Sequence, residues 1–195
     1  MTNSIDAGDA QLTTAEQLLQ FQSANRRSEL IRGRLIVCEP AGYRHGEIAA
    51  RLGRLIGNYA DERSLGVVVA AETGFKIASD PDTVRAPDVG FISKRRLPRP
   101  RPAGFAEMAP DLVVEVLSPE DRPREVRAKV GDWLAADCQL VWVIDPQRSV
   151  ARIYRADGSE NTVRVGGHLD GETVLPGFVV TVSDILGPPD ESDVP

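Results

Sequence analysis

A chain of 195 residues with 42% hydrophobic content can bury one substantial core, and a single domain is the expectation. Its net charge of −6 excludes a polycation built to coat nucleic acid, and no apolar run approaches the ~20 residues of a membrane-spanning helix. Cys38 and Cys138 make neither a disulfide framework nor a metal-spaced motif, so buried free thiols in a reducing compartment are the plain reading.

The N-terminus is polar and lacks a signal-peptide pattern, which points to a cytoplasmic protein without membrane contact. Residues 1–11 have no periodicity and are expected to be disordered, as is the acidic, proline-bearing tail 187–195; the domain proper spans 12–186. Thr13-Thr-Ala-Glu16 has the spacing of a capping box ahead of a short helix through Leu18, Leu19 and Phe21. Residues 28–39 read as a hairpin turning at Gly33. A helix follows from Arg44 to about Tyr59, with Ile48, Leu52, Leu55, Ile56 and Tyr59 on one stripe.

Strands are predicted at 66–70, 74–77 and 89–92, with a turn-rich loop at 79–83 and Asp88 at the entry to the third. Residues 94–101 hold five positive charges and two prolines and form an exposed loop. Beside a site that loop would grip phosphates; otherwise it is a solvated connection. Asp111 to Leu117 contains five Leu or Val residues, bounded by Pro110 and Ser118-Pro119, and reads as a strand buried on both faces. A helix from about residue 122 to 136 buries Val126, Val130, Trp133 and Leu134, and another apolar strand runs from 139 to 144. Together these form a βαβ unit with parallel strands. Short strands at 152–154, 162–165, 172–174 and 178–182 complete the chain.

Glu115 sits inside the apolar run 111–117, where an ionised carboxylate is costly without a cation, a metal or good donors. Asp88 begins the preceding strand, so adjacent pairing sets both carboxylates at one sheet edge. Two such ligands suit Mg²⁺, which keeps several waters. Lys129 lies about 70° from the centre of its helix's apolar stripe, on the shoulder of the buried face, while Arg124, Arg127 and Asp132 point further out. From there a lysine reaches a metal site or a scissile phosphate. Each residue also has an ordinary reading: a turn cap for Asp88, a snorkelling surface side chain for Lys129. Asp111 shares a strand face with Glu115 but lies about 13 Å away, and is read as structural.

Arg85-Ala-Pro-Asp-Val89, Pro110-Asp-Leu-Val-Val-Glu-Val-Leu-Ser118, Lys129 and Leu140-Val-Trp-Val-Ile-Asp-Pro146 together resemble the PD-(D/E)XK nuclease superfamily. The resemblance is to its restriction-endonuclease-like bacterial branch, long filed as a domain of unknown function, and covers residues 12–186. It implies an α/β fold, with a mixed β-sheet flanked by helices and additional β-hairpins. It also implies Mg²⁺- or Mn²⁺-dependent cleavage of DNA, with Asp88 and Glu115 as metal ligands. The superfamily's lysine normally stands two residues after the acid, where this chain has Leu117; in this branch it has moved to the following helix, at Lys129. Trp133 replaces an expected tyrosine. Glu29 resembles an acidic residue that assists the metal site, and His45 and Glu72 are weaker candidates. A homodimer is the simplest arrangement for cutting both strands. The rival reading is a catalytically inactive binding or assembly protein that keeps the nuclease fold. A hydrolase of small phosphoesters is a third.

Overall fold

A computed structural model of the chain describes residues 14–21 and 28–188. The expected disorder of residues 1–11, and of the tail beyond Pro188, lies outside the described residues.

Helix α1 (Ala15–Phe21) begins at a capping box one residue later than the sequence spacing suggested. Thr14 Oγ1 accepts the N–H of Gln17, and Gln17 Oε1 accepts the N–H of Thr14. Strands β1 (Ser28–Ile31) and β2 (Arg34–Val37) form the predicted hairpin. Its two turn residues, Arg32 and Gly33, have φ of 48° and 75°, the left-handed pair a tight hairpin needs.

Helix α2 (Tyr43–Glu62) buries Ile48, Leu52, Ile56 and Ala60. Burying each large aliphatic side chain contributes about 1.5–3 kcal/mol. That outweighs the roughly 0.5–1 kcal/mol cost of each of Gly46, Gly53 and Gly57 within the helix. Packing, not helix propensity, therefore holds α2 in place.

Strands β3 (Gly66–Ala70), β4 (Phe75–Ala78) and β6 (Val89–Ser93) fall where the sequence put them. Strand β5 (Thr83–Arg85) occupies the end of the segment read as a turn-rich loop and its exit. Strand β7 (Leu112–Val116), helix α3 (Pro123–Ala135) and strand β8 (Leu140–Asp145) are the βαβ unit, with β7 and β8 parallel. Strands β9 (Val150–Arg155) and β10 (Glu160–Arg164) follow. The strand predicted at 172–174 is a turn; β11 (His168–Asp170) lies just before it and pairs with β12 (Val179–Thr181). Thr181 Oγ1 then caps the short helix α4 (Val182–Leu186) by accepting the N–H of Asp184.

The central sheet has the order β10-β9-β8-β7-β6-β3 and is antiparallel except at β7–β8. A second, antiparallel sheet has the order β2-β1-β5-β4. Side-chain alternation divides the central sheet into two faces. Leu112, Val114 and Val116 share a core with Ile48, Leu52 and Ile56 of α2. Val113, Val141 and Val143 share another with Val130 and Trp133 of α3 and Phe75 of β4. Alternation puts Glu115 on the α3 face.

Candidate active site

Asp88, Glu115, Glu29 and Lys129 come from four different elements and converge between the two sheets and α3. Asp88 immediately precedes β6. Its N–H donates to the Val114 carbonyl at 3.1 Å, and its Oδ2 accepts the N–H of Val116 at 2.8 Å. Nε2 of His45, in the first turn of α2, lies 3.1 Å from the same Oδ2. Burial would raise the Asp88 pKa, but the His45 contact and the positive charge of Lys129 hold it below its ordinary value.

Glu115 is 7% exposed, and both its oxygens have donors. Trp133 Nε1–H donates to Oε1 at 2.8 Å and Lys129 Nζ to Oε2 at 2.8 Å. Lys129 and Trp133 are one helical turn apart on α3, so a single helix face holds the carboxylate at both ends. Burial pushes the Glu115 carboxyl up to about 7; Lys129 pulls it down, while the negative charge of Asp88 adds to the rise.

Lys129 also donates to the Ala86 carbonyl at 3.0 Å and lies 3.3 Å from Glu29 Oε1. Glu29, on β1, accepts the N–H of Ala86 at 3.1 Å and Arg85 Nη1–H at 2.8 Å. Burial alone would raise its pKa, yet Lys129 and Arg85 outweigh that and lower it. Arg85 in turn donates through Nε and Nη2 to Asp132 Oδ2, at 3.0 and 2.5 Å.

Two members of this network escaped the sequence reading. Asp132 does not point outward as expected, because Arg85 of β5 stands against that flank of α3. Its spacing from Lys129, three residues, was the available signal. Arg85 gave none, since its burial comes from the pairing of β5 with β1 and β4.

Glu72 is brought near but not into the network. It is exposed, in the turn between β3 and β4, and makes none of the network's hydrogen bonds. It lines, with His45 and Asp88, a groove of about 1310 Å³ between α2 and β3. Small residues on α2 (Gly46, Ala49, Gly53) leave that groove open as it approaches Asp88. The basic loop 94–101 is not beside the site. It leaves β6 at Ser93, a strand length or roughly 13–17 Å from Asp88. Arg96 from that loop pairs with Asp111 Oδ1 at 3.0 Å, and Asp111 Oδ2 accepts the Ser93 N–H at 2.8 Å. Those bonds give Asp111 a role in tying down the loop.

No group of three or more His, Cys, Asp or Glu side chains stands in an ion-holding arrangement among the described residues. Asp88 and Glu115 would offer two oxygen donors to an ion, a number that suits Mg²⁺ with its retained waters. The residues present fit the metal.

Among the described residues, no helix is long and apolar enough to cross a membrane. No curated protein matches the chain. One solved structure with a similar fold is a "putative nuclease belonging to DUF820" from Anabaena variabilis. It is 19% identical, with a TM-score of 0.74 over 82% of this chain and 89% of that one. The model of the Uma2 family, described as "putative restriction endonuclease", matches residues 15–183, a span that includes every residue of the network above. The chain belongs to the Uma2 family of restriction-endonuclease-like proteins.

Proposed function

We propose that the protein is an endonuclease that hydrolyses DNA phosphodiester bonds with Mg²⁺ or Mn²⁺. One observation carries the reading: two buried carboxylates, Asp88 and Glu115, held together with a lysine ammonium 2.8 Å from the second. The family and the nuclease-like fold support it. Asp88 and Glu115 would hold the divalent ion, which would supply Lewis-acid polarisation and a more acidic water. Lys129 assists the attack by placing positive charge where the phosphoryl oxygens gain negative charge. Water oxygen bonds to phosphorus and the bond to the leaving oxygen breaks; the water gives up a proton to solvent and the leaving oxygen takes one from solvent to become a hydroxyl. His45 and the Val116 N–H hold Asp88 in one orientation throughout. The α2–β3 groove, which Asp88 lines, would give an extended strand access to that carboxylate. The setting we assign is cytoplasmic, and double-strand cleavage would use a homodimer, which light scattering tests.

The test is a Mg²⁺ and Mn²⁺ titration of the purified chain on plasmid and single-stranded DNA, beside Glu115→Gln and Lys129→Ala. We expect metal-dependent cleavage that Glu115→Gln abolishes and Lys129→Ala lowers by about 10²–10³-fold. Full activity in Glu115→Gln would remove this site. No cleavage with either ion on either substrate would favour the inactive nuclease-fold binding protein.

A further inference from the structure

A lysine ammonium has three N–H donors. Those of Lys129 face three oxygens, of Glu115 (2.8 Å), Ala86 (3.0 Å) and Glu29 (3.3 Å). The Ala86 oxygen is backbone, fixed by its place between β5 and β6, and the Glu115 carboxylate is held at its other oxygen by Trp133. The third, the Glu29 side chain, needs holding too.

What holds it is a ring of charges that begins and ends on α3. Lys129 meets Glu29 of β1; Glu29 meets Arg85 of β5; Arg85 meets Asp132, three residues after Lys129. Signs alternate around the ring, and the Arg85 and Glu29 side chains are only 7% and 6% exposed. Arg85 presents one edge to each carboxylate, which its planar fork permits and a lysine would not. Both Glu29 oxygens are thereby turned toward cations and the Ala86 N–H.

We propose that Asp132 and Arg85 are positioning residues for Lys129, acting through Glu29, and that Glu29 serves the lysine and is not a ligand of the metal. The proposal rests on the reading of Lys129 as the cation that assists cleavage. A point charge on a four-carbon stem has many rotamers, and placing it repeatedly at one spot requires more than its pairing with Glu115. The ring supplies the second constraint and ties it to the helix that carries the lysine.

Two measurements on the full chain test this. The first is a double-mutant cycle. Asp132→Asn should lower kcat by about 10–100-fold with KM changed less than twofold, since a small misplacement of a catalytic group has that effect. In a Lys129→Ala background the same change should have no further effect. Equal losses in both backgrounds would mean that Asp132 merely supports the fold, and would overturn the proposal. Arg85→Lys should behave as Asp132→Asn does.

The second measurement needs no activity. The chain has only three lysines, Lys76, Lys94 and Lys129, so selective ¹³C-lysine labelling gives three Cε–Hε correlations in an NMR spectrum. Asp132→Asn and Glu29→Gln should both move the Lys129 signal and leave those of Lys76 and Lys94 in place. A Lys129 signal unmoved by either variant sinks the proposal even if the wild type cleaves DNA. A moved signal in a protein that cleaves nothing would keep the positioning ring and reject the nuclease reading. Mn²⁺ affinity separates the two roles of Glu29: Glu29→Gln should change it less than threefold, and a loss as large as that in Asp88→Asn would make Glu29 a ligand.

Discussion

Asp88 brackets Glu115 through the backbone of β7. The Asp88 N–H donates to the carbonyl of Val114, and Asp88 Oδ2 accepts the N–H of Val116, so one residue grips both chain neighbours of the other. Hydrogen bonds to the β7 backbone thus fix Asp88 beside Glu115, while Trp133 and Lys129 hold the Glu115 carboxylate.

Two substitutions at Asp88 should separate charge from geometry. Asp88→Asn keeps an oxygen for the Val116 N–H and removes the charge. Mn²⁺ binding by calorimetry should weaken at least about 100-fold, with a melting temperature close to wild type. Asp88→Ala leaves a buried N–H unpaired as well, and should cost about 1–3 kcal/mol of stability. Unchanged ion affinity in Asp88→Asn would exclude Asp88 as a ligand.

Ion binding should depend on pH through Glu115, whose carboxyl burial pushes up to about 7 from an ordinary 4.5. A proton and a divalent ion compete for it, so affinity should rise as pH increases toward about 7 and level off above. The stability effect runs in the opposite direction. Between pH 4.5 and 7 the folded chain retains a proton that the unfolded chain has lost, so this group's contribution falls as pH rises. Asp88 and Glu29, both lowered, act oppositely: they stabilise above their unfolded values of 3.8 and 4.5, and that is lost as pH falls through the folded ones. Urea unfolding of the metal-free protein should therefore show wild type losing roughly 2–3 kcal/mol relative to Glu115→Gln between pH 5 and 7.5. Parallel profiles for the two proteins would place the titration elsewhere.

Much of this site was legible in the sequence because its key residue violates a pattern. Glu115 interrupts a run of Leu and Val, and a buried charge announces the need for partners. Lys129 showed itself by its angle on an amphipathic helix. Arg85 could not be seen this way: β5 has three residues, too few for alternation, and its burial comes from strands distant in the chain. Asp132 was misplaced because a helical wheel treats everything beyond the apolar stripe as solvent, whereas here that space holds Arg85. The same limit explains the terminal strands. Glu172, with φ of 53°, turns the chain where β propensity suggested a strand, and β11 has only three residues to reveal itself.

Arg85 should be the most costly of the network's side chains to delete. Arg85→Ala leaves Glu29, 5% exposed, without one of its two cations, and strands Asp132 beside it. Breaking a buried pair from one side costs about 3–5 kcal/mol; Asp132, partly exposed, should add little to it. Removing an exposed partner such as Arg63, paired with Glu62 at the end of α2, should cost less than about 1 kcal/mol. Denaturant melts of both variants check the contrast. Similar losses would show that the network is not held by Arg85.

Trp133 offers a separate handle on Glu115, because its ring and its N–H do different things. The ring packs edge-on against Phe75, centroids 6.3 Å apart, while Nε1–H donates to Glu115 Oε1. Trp133→Phe keeps an aromatic ring and removes the donor. A hydrogen bond to a carboxylate stabilises its charged form, so the Glu115 pKa should rise further and the pH midpoint of Mn²⁺ binding should move up with it. Trp133→Tyr restores a donor in a smaller ring, the residue the PD-(D/E)XK resemblance leads one to expect here, and should return the midpoint part of the way to wild type. Loss of packing alone would lower the stability of both variants and leave the midpoint where it was. The order Phe, then Tyr, then Trp in descending midpoint therefore assigns the indole N–H to tuning Glu115, and identical midpoints in all three would confine Trp133 to the core.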